Sequence, residues 1–317
     1  MKQHNIKLIC SDIDGTLLDK NRALSTRTLA EMHRLSEHYP IILISSRMPK
    51  SMRQLQTQLN SEHYPLIAYN GSLIIDGNST LFSQEVPFHL LERMQTYVDN
   101  TSIHLSLYHE DEWIVPANDY WAKREANNTR VNPEIQPLTT TIKDWKAREI
   151  SAHKIMCMGE AEEIDLLYRL LKENHADEVN AYRSKDTYIE VSHVRQDKAS
   201  ALSLLLQKKY PTISMENAIA FGDNFNDTTL LEQVGTGVAV ANAKKEVLDK
   251  QIDDEIEKAE QEIKTLQNGA PDKINKIAID TSSELIQKLI GAEVNNSSIS
   301  AIVDDLSRRN GDKYYGN

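Results

Sequence analysis

Short apolar, β-branched runs that each break off into a polar or acidic cluster constrain this chain more than any other feature. Residues 6–10 run into Ser11-Asp12-Ile13-Asp14-Gly15-Thr16, residues 41–44 into Ser45-Ser46-Arg47, and residues 66–69 into Asn70-Gly71. Between them, residues 25–38 and 51–59 read as helices. Strands alternating with helices predict βαβ units and a parallel sheet, whose ligand sites lie beyond the carboxyl ends of the strands. Every polar cluster named here falls at such an end.

A chain of 317 residues exceeds the roughly 100 to 200 typical of one domain. From about residue 82 to 185 the pattern changes to helices and longer alternating strands, such as residues 103–108 and 154–158, and all three tryptophans lie there. This stretch reads as an inserted α+β domain. The parallel pattern is then expected to resume with Tyr188-Ile-Glu-Val191, a helix from Lys198 to Lys209, and Asn217-Ala-Ile-Ala-Phe221 leading into Gly222-Asp223. It stops after Gly237-Val-Ala-Val-Ala-Asn242.

The charge balance of −11 argues against a nucleic-acid binder, which neutralises many phosphates with Lys and Arg. An anionic ligand therefore needs a local positive site. No apolar run approaches the 18 or so residues of a membrane span, and the opening MKQHNIKLICSD lacks the features of a signal peptide, so a cytoplasmic location is expected. Cys10 and Cys157 lack CxxC spacing, which supports neither a disulfide framework nor a thiolate zinc site.

Taken singly, each strand end has an ordinary explanation. Asp12-Ile13-Asp14-Gly15-Thr16 sets two carboxylates one residue apart before a glycine that permits an unusual turn, and it reads either as a chemical site or as an Asx-rich turn capping a helix. Ser45 offers a hydroxyl suited to a phosphate oxygen or to a helix N-cap. Lys198 opens a helix at the end where the dipole disfavours a cation; that suggests an anion nearby, with a surface lysine as the bland reading. In Gly222-Asp223-Asn224-Phe225-Asn226-Asp227 two carboxylates stand four apart, where like charges repel on a helix unless a cation reverses the sign. Arg47 and Asn70-Gly71 lie at neighbouring strand ends, and Arg47 is equally readable as a surface cation. Tyr188 and His193 stay unassigned, because a lone aromatic or His more often packs than binds.

Taken together and in this order, these residues resemble the four motifs of the haloacid dehalogenase superfamily, and within it the Cof-type, sugar-phosphatase-like branch. The resemblance runs over about residues 6–247 and includes the cap inserted between the second and third motifs. Ser45-Ser46-Arg47 stands where the family often has Thr-Gly-Arg, and the hydroxyl is kept. The resemblance implies an α/β fold: a Rossmann-like parallel-sheet core over residues 1–81 and 186–250, an α+β cap over 82–185 and a C-terminal helical extension over 251–317.

It also implies a phosphatase acting on small-molecule phosphate esters through an aspartyl-phosphate. A phosphate dianion repels a carboxylate nucleophile, so Mg²⁺ held by hard oxygen ligands must neutralise both. By resemblance, Asp12 attacks, and Asp12, the Asp14 carbonyl and Asp223 hold the metal with Asp227 beside them. Lys198 and Ser45, with Ser46, Arg47 and Asn226, bind the substrate, and Asp14 moves the proton.

Beyond Val247 the resemblance fades, and residues 255–264 and 277–294 look instead like the C-terminal part of a b subunit of an F-type ATP synthase. From Gln251 onward the chain carries 13 acidic and 8 basic residues, which marks a solvated helical segment. Ile252, Ile256, Ala259, Ile263 and Leu266 alternate four and three apart, a coiled-coil spacing about two heptads long. Further helices are expected over 273–290 and from Ser298. Such a stripe calls for a helical partner or self-association. The rival to an enzyme is thus a catalytically weak, phosphatase-like scaffold whose tail docks on a partner.

Overall fold

The computed structural model describes residues 5–195, 197–245 and 247, together with scattered positions between 261 and 303. The chain divides into two compact units, residues 1–248 and 249–317. In the second unit the described positions, among them Gln261, Thr265, Ile277 and Asp280, are α-helical. The heptad positions from Ile252 to Leu266 lie outside the described residues, as does most of the segments 273–290 and 298 onward.

The first unit contains two sheets. Strands β1 (Leu8–Ser11), β2 (Ile41–Ile44), β3 (Leu66–Ala68), β4 (Leu73–Asp76) and β5 (Ser79–Ser83) join β12 (Ala218–Gly222) and β13 (Thr236–Ala239) in a seven-stranded sheet of order β13-β12-β1-β2-β3-β4-β5. From β13 to β3 the strands are parallel, and β4 and β5 add an antiparallel edge. The runs in β1 and β2 are continuous rather than alternating because both faces are buried. Leu8, Cys10, Ile42 and Ile44 pack with Leu202, Leu205 and Leu206 of α7 (Lys198–Lys209). Ile9, Ile41 and Leu43 point the other way, toward Met32 of α1 (Thr26–Ser36) and Met52 of α2 (Pro49–Gln58). Helix α2 starts two residues before the expected Ser51, since Pro49 brings a preset φ and no N–H to the first helical position.

The second sheet is built from β6 (His104–His109), β7 (Glu112–Val115), β8 (Glu134–Ile135), β9 (Lys154–Met158), β10 (Val179–Lys185) and β11 (Tyr188–His193), in the order β10-β11-β9-β6-β7-β8. One face is covered by α3 (Phe88–Val98), α5 (Leu138–Ala147) and α6 (Ala161–Asn174), with Trp145 fully buried among them. The other face carries Tyr108, Trp113 and Met156 together with Ala122 of α4 (Tyr120–Thr129), and joins the core cluster of the first sheet.

Tyr188–Val191 does not resume the parallel sheet as expected. It belongs to β11, which pairs antiparallel with both β10 and β9. The physical sign is its alternation: Ile189 and Val191 are buried while Tyr188 and Glu190 are only partly so, the pattern of a strand with one packed face. Lys185 and Tyr188 are cross-strand partners, so a tight turn at Asp186-Thr187 makes the hairpin. The chain returns to the first sheet only at α7. No helix among the described residues is long and apolar enough to cross a membrane.

Replacing the fully buried Trp145 by alanine should cost about 3 to 5 kcal/mol through lost burial and a residual cavity. A urea melt followed by far-UV circular dichroism reads this directly.

Candidate active site

Parallel pairing puts the carboxyl ends of β1, β2 and β12 on one edge of the sheet, and there Asp12, Ser45 and Asp223 each follow their strand directly. Lys198, the first residue of α7, is fully buried, and its Nζ donates to Asp12 Oδ1 and to Asp227 Oδ1, each at 2.6 Å. The other Asp227 oxygen accepts the backbone N–H groups of Asp223 and Asn224, both at 3.0 Å. Asp227 therefore fixes the loop and the ammonium at once.

Burial pushes the Asp12 carboxyl up to about 7, against the pull of Lys198. Burial also works against the Lys198 ammonium, yet the carboxylates of Asp12 and Asp227 outweigh it and hold the charge. Asp223 is raised as well, chiefly by burial, although Thr16 Oγ1 donates to its Oδ1 at 3.0 Å. Gly15 makes this approach possible: its φ is +89°, and a Cβ there would collide with the Asp223 carboxylate.

One carboxylate oxygen from each of Asp12, Asp223 and Asp227 lies within 4.8 Å of the others. An all-oxygen, strongly anionic donor set of this kind fits a hard divalent cation, which would offset the burial and, after it, the Asp227 charge that raise Asp12 and Asp223.

Asp14, two residues from Asp12, meets different surroundings. Arg47 grips it in bidentate fashion, Nε to Oδ2 at 2.6 Å and Nη2 to Oδ1 at 2.7 Å, and Arg22 adds a contact at 3.2 Å. Burial works to raise the Asp14 carboxyl, but the Arg47 hydrogen bonds and charge prevail and hold it below the usual carboxylate range. Arg47 is buried, not a surface cation, and its Nη2 also reaches the Asn128 carbonyl of α4 at 3.5 Å.

A cavity of about 240 Å³ opens beside these groups, between the two sheets, with Asp14, Ser46, Arg47 and Asn226 on its wall. Asp12 and Ser45 are not among its lining residues; Ser45 is buried, and its Oγ accepts the Arg47 N–H at 3.3 Å. The Asn226 amide donates to Asn70 Oδ1 at 3.0 Å, and Asn70 Nδ2 donates to Glu190 Oε1 at 2.7 Å. Ser46 contributes its carbonyl, which accepts Lys154 Nζ at 2.7 Å.

Sequence reasoning missed Arg22, Lys154, Tyr182 and Glu190. Lys154 carried a faint signal as a cation opening an otherwise apolar strand, Lys154–Met158. Glu190 carried none, because an acid on the polar face of an alternating strand looks solvent-exposed until the second sheet is placed over the first.

The comparisons agree with this architecture. The family model for haloacid dehalogenase-like hydrolases matches residues 9–262. The chain belongs to that family. A Haemophilus influenzae protein named provisionally as a phosphatase is 33% identical over 245 residues, covering 76% of this chain and 89% of that one. The 5-amino-6-(5-phospho-D-ribitylamino)uracil phosphatase of Bacillus subtilis is 29% identical over 262 residues, covering 80% of this chain and 92% of that one. A haloacid dehalogenase-like hydrolase of Bacteroides thetaiotaomicron shares the fold, with a TM-score of 0.71 at 23% identity over 77% of this chain and 91% of that one. This haloacid dehalogenase-like chain is thus a Cof-type member and a phosphoric monoester hydrolase.

Separately, 74 residues are 65% identical to ATP synthase subunit b of Pelagibacter ubique, 23% of this chain and 41% of that protein. The resemblance expected of the tail is supported, over less than half of the b subunit's length.

Asp227→Ala leaves the buried ammonium with one carboxylate and strands two backbone N–H groups. It should destabilise the protein by about 3 kcal/mol or more, read as a fall in the midpoint of chemical unfolding.

Proposed function

We propose that this enzyme is a Mg²⁺-dependent phosphatase of small phosphorylated metabolites, working through an aspartyl-phosphate on Asp12. The observation that carries the reading is the contrast between neighbours: Asp12 is buried against Lys198, while Asp14 is half-exposed and gripped by Arg47. One carboxylate is placed to attack and the other to move a proton.

Asp12 attacks phosphorus in line, and the bond to the leaving alcohol breaks. Lys198 and the Ser45 loop stabilise the charge that develops on the transferring oxygens. Asp14 gives the leaving oxygen its proton, then takes one from the water that cleaves the aspartyl-phosphate. Its ionised state, held by Arg47, suits the second half directly. The first half requires a proton on it, and an arriving phosphate dianion that competes for Arg47 favours that state. Asp12, the Asp14 carbonyl and Asp223 would hold Mg²⁺, which neutralises the dianion against its nucleophile.

Substrate choice is assigned to the cap, residues 82–185 extended by β11, because the four core motifs meet only the phosphate and metal. The compact cavity and the phosphorylated ribityl compound named for the Bacillus subtilis relative support a small metabolite. The b-subunit match supports a tail that pairs with another helix.

Asp12→Asn should abolish turnover of p-nitrophenyl phosphate and all phosphoenzyme. Asp14→Asn should lower kcat by roughly 10²- to 10⁴-fold with the fold intact. Rapid-quench trapping of the phosphoenzyme separates the two, and an active Asp12→Asn enzyme would show the nucleophile to be misassigned.

Mg²⁺ binding adds a pH test. Burial raises the Asp12 carboxyl from 3.8 to about 7, so the metal-free folded state holds its proton longer than the unfolded chain. This group's contribution to stability therefore declines as pH rises across that window. A cation that needs the ionised carboxyl gains over the same range. The thermal shift produced by Mg²⁺ should grow from pH 5 to pH 8, and equal shifts at both would exclude Asp12 as a ligand.

A further inference from the structure

Five cations line the cavity, and three of them are engaged by the protein itself. Arg47 and Arg22 hold Asp14. Lys154 donates to the Ser46 carbonyl and stands 4.0 Å from Glu190. The remaining two, Arg124 of α4 and Lys185 of β10, both belong to the cap and have no carboxylate or hydrogen-bond partner among the described residues.

Both stand over one aromatic ring. Arg124 Cζ lies 5.3 Å and Lys185 Nζ 5.5 Å from the centre of Tyr188, whose ring is braced edge-on by Trp121 at 5.4 Å and 82°. The ring quadrupole attracts each cation but neutralises neither. Glu125, next along α4, also lines the cavity and forms no ion pair with either. In a chain of net charge −11, these are two cavity-lining cations of the cap without an ion pair, on the same wall as Glu125.

We infer that Arg124, Lys185 and Tyr188 form a second anion subsite, so that the substrate is a compact phosphate ester bearing another anionic group, carboxylate or phosphate, at its far end. This rests on the phosphatase reading for the location of the scissile phosphate. Arg124, Lys185 and Tyr188 line the same cavity of about 240 Å³ as Asp14 and Arg47, so one compact ester can meet both sets of groups. An anionic group entering the cavity meets a guanidinium and an ammonium that no carboxylate pairs, beside the Tyr188 ring to which both are drawn. A neutral polyol end would leave both cations uncompensated.

Matched esters isolate the second charge. With Mg²⁺ present, kcat/KM is measured for 6-phosphogluconate against sorbitol 6-phosphate, and for fructose 1,6-bisphosphate against fructose 6-phosphate. The expected preference for the doubly anionic member is about tenfold or more in at least one pair, equivalent to about 1.4 kcal/mol; the pair that shows it separates carboxylate from phosphate. In Arg124→Gln/Lys185→Gln the ratio should fall toward one, whereas Arg124→Lys/Lys185→Arg should keep most of it. A merely structural role would lower both members together and leave the ratio intact.

Equal turnover of matched esters by the parent enzyme, or a preference that survives in the double glutamine variant, overturns the subsite. Calorimetric binding of 6-phosphogluconate and sorbitol 6-phosphate, in parallel, covers the case in which no ester turns over. That result defeats the phosphatase reading, and the subsite then stands or falls on whether 6-phosphogluconate binds about tenfold tighter and loses that margin in the glutamine variant.

Discussion

The ammonium of Lys198 lies 2.6 Å from carboxylates that follow two different strands, and it has no access to water. An unpaired buried charge is so costly that a lysine there is tolerable only with both partners in place. Its position as first residue of α7 adds a further penalty, since the positive end of the helix dipole opposes it. Both costs are offset by the same two aspartates. The contact therefore locks together the end of β1, the turn after β12 and the first turn of the helix by which the chain re-enters the core. Because α7 follows directly on the cap's last strand, the geometry of the return crossover and that of the Asp12 carboxylate are set by one ion triad.

Two aspartates separated by a single residue end in opposite states for reasons that lie entirely in their surroundings. Asp12 faces inward, where burial outweighs the lysine and raises its carboxyl. Asp14 faces the cavity, where burial is overcome by Arg47. Gly15, directly after Asp14, turns the chain with a φ no ordinary side chain adopts cheaply and leaves room for Asp223 to approach.

The parallel half of the core was legible because a strand buried on both faces writes a continuous apolar run, as in Ile41–Ile44, and because its functional residue follows at once. Asp12, Ser45 and Asp223 stand at such strand ends, whereas Lys198 opens a helix, and only the resemblance of the motifs taken together singles out the four. The division at Tyr188 was misread because a four-residue segment says little about which sheet it joins; only the alternation of buried Ile189 and Val191 with Tyr188 and Glu190 distinguishes it. Arg47 was ambiguous because its partner, Asp14, lies 33 positions away in sequence. The cap's contributions were invisible for the same reason at greater range: Asn70 meets Glu190 across 120 positions, and no local pattern encodes that contact.

Those long-range contacts converge on the cavity. Lys154 reaches the Ser46 carbonyl, Arg47 the Asn128 carbonyl, Asn70 the Glu190 carboxylate, and Tyr182 OH the Asn224 side chain at 3.2 Å. Each links the cap, through its sheet or α4, to the carboxyl edge of the first sheet through a group that also lines the cavity. Ligand and cap therefore draw on a shared set of donors. A ligand that replaces these contacts with equivalent ones leaves the arrangement of the two sheets as stable as before, whereas one that takes a donor without returning a partner loosens it. On the proposed phosphatase reading, substrate discrimination would rest on these hydrogen bonds and charges of the cap wall, while the triad around Lys198 would stay the same for every ester.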